Sequence, residues 1–128
     1  MFDGPLIFHI EDNFENRVLV RRLLESEAFR VEEAENATDA LVILKTLSPQ
    51  LILLDINMPD IDGYTLVGMI RENPRMSGVP VVAITANVMK GDREKTLSAG
   101  CDGYIEKPID VDKFCNQIKR YLIVDNTA

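Results

Sequence analysis

Apolar residues along the chain follow two spacings that alternate from one end to the other. Short continuous runs rich in Ile, Val and Leu are followed by longer stretches in which apolar residues recur every three or four positions. The runs predict buried β-strands, and the longer stretches predict helices that bury one face. Strands are predicted at residues 5–10, 29–33, 51–54, 79–84 and 103–106.

The intervening helices have recognisable ends. Asn36 is a predicted N-cap with Asp39 three positions on, and Gly100 is suited to a C-cap. Prolines at Ser48-Pro49 and Asn73-Pro74 end the second and third helices. The predicted helices are 13–27, 36–48, 63–73, about 90–98 and 111–122.

Two of these helices predict a clear division into faces. The first places Val20, Leu23 and Leu24 on one face and Arg17, Arg21 and Glu25 on another, and the last spaces Val111, Phe114, Ile118 and Leu122 for one buried face. Five βα units with near-continuous apolar central strands predict an α/β fold, a doubly wound parallel sheet with helices on both faces. A chain of 128 residues, 46% of them hydrophobic, is long enough for one such domain.

Polar residues follow four of the predicted strands. The third strand ends in Asp55, the first in Glu11-Asp12, the fourth in Thr85, and the fifth in Lys107. A buried carboxylate left unpaired costs several kcal/mol, roughly, so the acids require cations or strong donors nearby. Because parallel strands end at the same edge of a sheet, these residues predict one site at the carboxyl edge.

The motifs around these residues resemble a known family. Glu11-Asp12, the segment 53–60 with Gly63, the segment 84–86, and the segment 104–108 are similar to the receiver domain of bacterial two-component response regulators, in the family's order and spacing over about residues 5–122. The resemblance implies a flavodoxin-like fold, like that of the chemotaxis response regulator, with five strands in the order 2-1-3-4-5 and five flanking helices. It also implies a phosphoacceptor switch, with residues 1–128 forming a single receiver domain.

The expected chemistry is transfer of a phosphoryl group to Asp55 from a sensor histidine kinase or a histidine phosphotransfer protein. An attacking carboxylate is repelled by phosphoryl charge, so a divalent cation is needed. Asp12, Asp55 and the backbone carbonyl of Asn57 are the predicted Mg²⁺ ligands, and Glu11 is expected to hold a metal-bound water. Lys107 is expected to pair first with Asp55 and later with a phosphoryl oxygen.

Other positions acquire roles through the same resemblance. Thr85 is expected to donate its hydroxyl to the phosphoryl group, with Tyr104 as the aromatic switch residue. The Lys107-Pro108 bond resembles the family's cis peptide. Asn57 and Asn87 flank the expected path of the hydrolytic water, and neither side chain carries a charge, so we expect weak autodephosphorylation and an intermediate phosphoryl lifetime. Weak self-phosphorylation from small donors is also expected.

The predicted output surface joins the fourth helix, the fifth strand and the last helix. It carries Lys90, Arg93, Lys95, Asp112, Lys113 and Lys119, and it is the expected surface for an output protein or a homodimer. The sequence leaves open a single-domain regulator or the N-terminal part of a longer protein.

Composition excludes several partners. The net charge of −7 and pI near 4.7 argue against direct binding to nucleic acid or to an anionic membrane. No apolar stretch reaches the roughly 20 residues of a membrane span, and the start of the chain does not resemble a signal peptide. Cys101 and Cys115 lack metal spacing and are expected as small, buried or half-buried reduced thiols in a bacterial cytoplasm.

Alternative functions fit the motifs less well. A haloacid-dehalogenase-type phosphatase requires an acid where Asn57 stands, and the segment 11–14 would repel the pyrophosphate of a nucleotide or flavin. The remaining alternative is a receiver that binds proteins without being phosphorylated. His9 is expected to be a packed strand residue, because in the family the phosphohistidine belongs to the partner.

Overall fold

The computed structural model describes residues 4–86 and 90–125, with the backbone alone for residues 90–93 and 123–125. Five parallel strands form one sheet in the order β2-β1-β3-β4-β5. The predicted fold class and strand order are therefore confirmed. The elements are β1 (Leu6–Ile10), α1 (Phe14–Glu25), β2 (Arg30–Ala34), α2 (Ala37–Ile43), β3 (Leu51–Asp55), α3 (Gly63–Arg71), the short 3₁₀ helix η1 (Pro74–Met76), β4 (Val81–Thr85), α4 (Lys90–Ser98), β5 (Gly103–Glu106) and α5 (Phe114–Asp125).

The core has two halves, one on each face of the sheet. Successive strand residues point to opposite faces, so each central strand contributes to both halves. One half packs against α1 and α5, and the other against α2 and α3. The α4 helix lies beside α3, where the Tyr64 and Thr96 hydroxyls are 3.3 Å apart. The β3 strand is buried along its whole length, which explains its uninterrupted apolar sequence.

The predicted caps are present. The Asn36 side chain accepts from the Asp39 N–H at 2.7 Å, and Gly100 adopts a φ of 115°, a conformation that favours glycine. The Asn13 and Asp62 side chains likewise accept from the N–H groups of Asn16 and Thr65, at 2.9 and 3.1 Å. These caps satisfy N–H groups that have no partner inside their helices.

The structure corrects one predicted helix face. Val111 is 53% exposed, because residues 111–113 form a turn and α5 begins only at Phe114. The Asp112 N–H donates to the Asp110 side chain in this turn. Arg17, predicted on a different face of α1 from Val20 and Leu24, is also buried, and its guanidinium donates to the backbone carbonyl of Glu11 at 2.7 Å.

Three isolated polar or thiol side chains behave as predicted. His9 is fully buried in β1, and burial lowers its pKa to about 3, so the ring is neutral at physiological pH. Cys101 is buried and Cys115 is half-buried. Burial raises the pKa of both thiols, to about 12 for Cys101, which keeps them protonated.

Candidate functional site

The polar residues that follow the predicted strands meet at the carboxyl edge of the sheet. Asp55 is the last residue of β3, Glu11 follows β1, Thr85 ends β4, and Lys107 follows β5. The parallel register aligns Asp55 with Ile84 in the neighbouring strand. The sheet thus delivers groups from four separate chain segments to one cleft.

Three carboxylates converge in this cleft. Glu11, Asp12 and Asp55 each offer an oxygen, and these oxygens lie within 4.8 Å of one another. Glu11 is 1% exposed and Asp55 is 3% exposed, whereas Asp12 faces solvent. The site therefore has a buried acidic floor and one carboxylate at its mouth.

Lys107 is the cation that faces these acids. Its Nζ lies 3.1 Å from Asp55 Oδ2 and 3.8 Å from Glu11 Oε1. The lysine side chain is about one quarter exposed, so it reaches the carboxylates from the solvent side. The Lys107-Pro108 bond is cis, as the sequence predicted. A single ammonium group cannot neutralise three carboxylates, and the cleft keeps a negative charge.

The uncompensated negative charge of the cleft affects the pKa of Glu11. Desolvation by burial, followed by repulsion from Asp55, raises the pKa of Glu11 to about 7. The carboxylate accepts from the Asn13 N–H at 3.2 Å, which offsets part of this cost. Glu11 is therefore close to half-protonated near neutral pH, and a further cation in the cleft would favour its charged form.

The remaining predicted residues border the cleft or leave it. The Asn57 N–H donates to Asp55 Oδ1 at 3.0 Å, and the Asn57 side chain is exposed. Thr85 is buried, and its backbone carbonyl accepts from the Lys107 N–H at 2.9 Å. Tyr104 lies in β5, where it pairs with Ala83 of β4, and its side chain is half-buried against the core. Asn87 lies outside the described residues.

The donor atoms suit a hard divalent cation. Carboxylate and carbonyl oxygens are preferred by Mg²⁺, which keeps several waters and takes few protein ligands. Two buried carboxylates and one exposed carboxylate within 4.8 Å provide such ligands, and their uncompensated charge favours a cation. The residues present therefore fit Mg²⁺.

A groove beside the cleft is not predicted by the sequence analysis. It has a volume of about 420 Å³ and runs from Glu11 and Lys107 to the apolar side chains of Leu19 and Ile109. Phe14, at the start of α1, is 69% exposed. Leu19, an apolar residue of α1 outside the predicted buried face, lines the groove and is the sequence signal that could have indicated it.

Comparison with known proteins gives a consistent assignment. The family model for the response regulator receiver domain matches residues 7–119. The chain is 37% identical over 113 residues to the polar-differentiation response regulator DivK of Brucella anthropi, a match that covers 88% of this chain and 92% of the relative. DivK of Brucella suis is 36% identical over the same length.

Solved structures agree. The chemotaxis response regulator CheY4 of Vibrio cholerae superposes with a TM-score of 0.89 at 20% identity, covering 93% of this chain and 99% of that chain, which supports the fold. The receiver domain of the sensor histidine kinase PA1611 from Pseudomonas aeruginosa, solved with a magnesium ion coordinated in its active-site cleft, gives a TM-score of 0.86 at 31% identity. That match covers 94% of this chain and 98% of the other. Together with the fold and the acidic cleft, these matches show that the chain belongs to the response regulator receiver domain family of two-component signalling.

Proposed function

We propose that Asp55 accepts a phosphoryl group from a partner histidine kinase or histidine phosphotransfer protein, in a Mg²⁺-dependent reaction that alters a protein-binding surface. The observation that carries this proposal is the buried Asp55 carboxylate, held 3.1 Å from the Lys107 ammonium beside two further acids. Burial of such a carboxylate destabilises the fold, and a role in phosphoryl transfer would explain why the carboxylate is there.

Different groups of the chain have different roles in the phosphoryl transfer. An Asp55 oxygen forms the new bond to phosphorus while the bond from phosphorus to the donor histidine nitrogen breaks, and the nitrogen keeps the electron pair. The Asn57 N–H, already bonded to Asp55 Oδ1, fixes the carboxylate's orientation. The Lys107 ammonium moves from Asp55 to one phosphoryl oxygen, and the Thr85 hydroxyl donates a hydrogen bond to a second phosphoryl oxygen.

Mg²⁺ would be held by Asp12, Asp55 and the backbone carbonyl of Asn57, with Glu11 holding a metal-bound water. When bound, the ion screens the negative charges of the carboxylate and the phosphoryl group from each other. The related PA1611 receiver contains magnesium in its cleft, which supports this assignment. The exposed Phe14 and the apolar groove past Leu19 and Ile109 offer the donor protein a landing surface next to Asp55.

The proposed output surface consists of α4, β5 and α5, and its partner is an output protein or a second copy of the chain. A groove of about 470 Å³ between β5 and α5 is lined by Tyr104, Glu106, Gln117, Arg120 and Tyr121. Tyr104 is proposed as the residue that responds when Thr85 moves toward the phosphoryl group.

Two of the basic residues proposed for this surface already have partners within the chain. Lys119 pairs with Glu27 in the turn after α1, and the Lys95 ammonium lies 4.7 Å from the centre of the Tyr64 ring. The side chains of Lys90 and Arg93 lie outside the described residues. The available basic charge is therefore concentrated at Lys113 and Arg120, both exposed on the α5 side of the surface.

We also propose a domain organisation and a cellular location for the protein. Residues 1–128 are treated as one receiver domain, supported by the single sheet and the family match over 7–119. No helix among the described residues has the length and apolar character needed to cross a membrane. We propose a cytoplasmic location for the protein, supported by its two free thiols, which would stay reduced there.

The test is phosphorylation by acetyl phosphate or phosphoramidate with MgCl₂, followed by intact-mass measurement. Wild-type protein should gain the mass of one phosphoryl group. Asp55→Asn should gain none, because the amide cannot act as the nucleophile. Asp102→Asn is the matched control, since Asp102 is a carboxylate at the opposite end of the sheet, and it should be modified like wild type.

Two results would contradict the proposal. One is a modification that persists in Asp55→Asn, and the other is a modification that does not require a divalent cation. Wild-type protein that is never phosphorylated, by small donors or by a phosphorylated histidine protein, would instead favour the phosphorylation-independent binding module.

A further inference from the structure

The loop from Ile56 to Asp62 carries Asn57 and is fastened at several points. At its base, the Gly63 N–H donates to the Ile56 carbonyl at 2.9 Å. Met58 is buried in the core directly after Asn57. The outer part of the loop contains exposed residues, so its position depends on whatever bonds the outer residues make.

Asp60 makes those bonds by reaching across to α2. Its Oδ1 accepts from the Ala37 N–H at 3.2 Å, and its Oδ2 accepts from both the N–H and the hydroxyl of Thr38 at 3.0 Å. These N–H groups are the first two of α2 and have no acceptor within the helix. The hydrogen bond from the Thr38 backbone, above all, lowers the pKa of Asp60 to about 2, so the carboxylate is charged and bonded at neutral pH.

The C-terminal end of α2 is held by contacts of its own, so Asp60 is bonded to a helix that is fixed at both ends. The Arg75 guanidinium donates to the carbonyls of Leu44 and Lys45 at 2.9 and 2.8 Å and to the Ser48 hydroxyl at 2.6 Å. The helix is also packed into the core through Ala40. A loop bonded to such a helix is held in place as well.

We propose that Asp60 is a positioning residue for the metal site, holding the segment that presents the Asn57 carbonyl to Mg²⁺ without contacting the ion itself. This inference rests on the proposed function, because Mg²⁺ and the Asn57 carbonyl belong to that proposal. Metal sites require ligands placed to within about 0.5 Å, and residues that orient ligands control affinity through that placement. Asp60 would act by limiting the positions that the Asn57 carbonyl can occupy.

The experiment titrates full-length protein with MgCl₂ and follows backbone amide NMR shifts at a temperature where every variant is folded. Asp60→Ala should raise the Mg²⁺ Kd by about threefold to tenfold, at or below the lower limit of the roughly 10- to 100-fold effects of residues that orient ligands, because Asp60 acts through the loop. Thr38→Val removes one of the three hydrogen bonds to Asp60 and should raise the Mg²⁺ Kd by a smaller factor. Asp60→Asn keeps an acceptor oxygen and should recover part of the affinity.

Asp39→Ala is the matched control. Asp39 is an exposed carboxylate at the same end of α2, and its side chain accepts from Asn36 at 3.3 Å. This variant should leave the Kd within about twofold of wild type, and salt near 1 M, which shortens the screening length to about 3 Å, should not remove the Asp60→Ala effect. A Kd for Asp60→Ala equal to that of wild type, or an equal loss in Asp39→Ala, overturns the inference alone. Wild-type protein that does not bind Mg²⁺ overturns the proposed function, and the inference falls with it.

Discussion

The two edges of the sheet differ in how well their charged side chains are paired. At the amino edge, the Arg71 guanidinium donates to the carbonyls of Gly100, Met76 and Val79 and pairs with Asp102 at 2.7 Å. Asp102 in turn accepts from the Val81 N–H at 2.7 Å. Arg71 and Asp102 thus pair with each other and also form hydrogen bonds to the backbone.

At the carboxyl edge the charges do not balance. Three carboxylates meet one ammonium, and the pKa of Glu11 is raised to about 7 by burial and by Asp55. The amino edge therefore stabilises the fold, whereas repulsion between the carboxylates at the carboxyl edge destabilises it, and a bound cation would weaken that repulsion. The comparison predicts opposite responses to the same kinds of substitution.

The largest effect is expected for Arg71→Ala. The substitution leaves three carbonyls and Asp102 without their common donor and should lower the free energy of unfolding by about 3 to 4 kcal/mol. Chemical denaturation measures the loss, with Arg22→Ala, an exposed arginine on α1, as the control. A loss no greater than that of the control would show that the amino edge does not stabilise the fold in this way.

Glu11→Gln should have the opposite sign and a pH dependence. Because the folded-state pKa of Glu11 is raised from 4.5 to about 7, its favourable contribution is complete below pH 4.5 and is lost as the pH rises to about 7. In metal-free buffer at pH 8, Glu11→Gln should therefore be more stable than wild type by about 3 kcal/mol, at about 1.4 kcal/mol per pKa unit. Denaturation curves between pH 4.5 and 8 should show the difference growing, and a constant difference would mean that Glu11 is not the strained group.

Mg²⁺ should relieve the same strain. At ten times its Kd, the ion should stabilise wild-type protein by about 1.4 kcal/mol, because it binds the folded state alone. Asp12→Ala should abolish this response, since it removes a proposed ligand from the mouth of the cleft. Thermal melts with MgCl₂ and with KCl of equal ionic strength provide the measurement. An equal Tm rise in wild type and Asp12→Ala would place the metal elsewhere.

The sequence predicted the carboxyl edge better than the amino edge, for a physical reason. An apolar run that ends in an acid is a local pattern, and parallel strands carry that pattern to a shared edge, so Asp55 and Lys107 could be placed together beforehand. Their chemical roles are still predictions. The Arg71 contacts could not be predicted, because Gly100 and Asp102 lie about 30 residues further along the chain.

The errors have a similar origin. Val111 fits the helical spacing of α5, but the turn before Phe114 breaks the periodicity that the spacing assumed. The burial of Arg17 could not be predicted either, because its hydrogen-bond acceptor is a backbone carbonyl six residues back, outside the helix. The Asp60 bonds to α2 likewise join segments 22 and 23 residues apart. Local patterns predict elements and their ends, whereas side chains that connect elements depend on the tertiary fold.

The smallest effect comes from one substitution made at both edges. Asp102→Asn keeps an oxygen for the Val81 N–H and loses only a partly exposed ion pair, so it should destabilise by about 0.5 kcal/mol and keep the Mg²⁺ response. Asp55→Asn removes one of three crowded carboxylates, and Lys107 can still approach Glu11, so metal-free protein at pH 8 should become slightly more stable and lose the Mg²⁺ response. Denaturation of both variants with and without MgCl₂ provides the measurement. If the two substitutions change stability in the same direction and by the same amount, the two edges do not differ in charge balance as argued here.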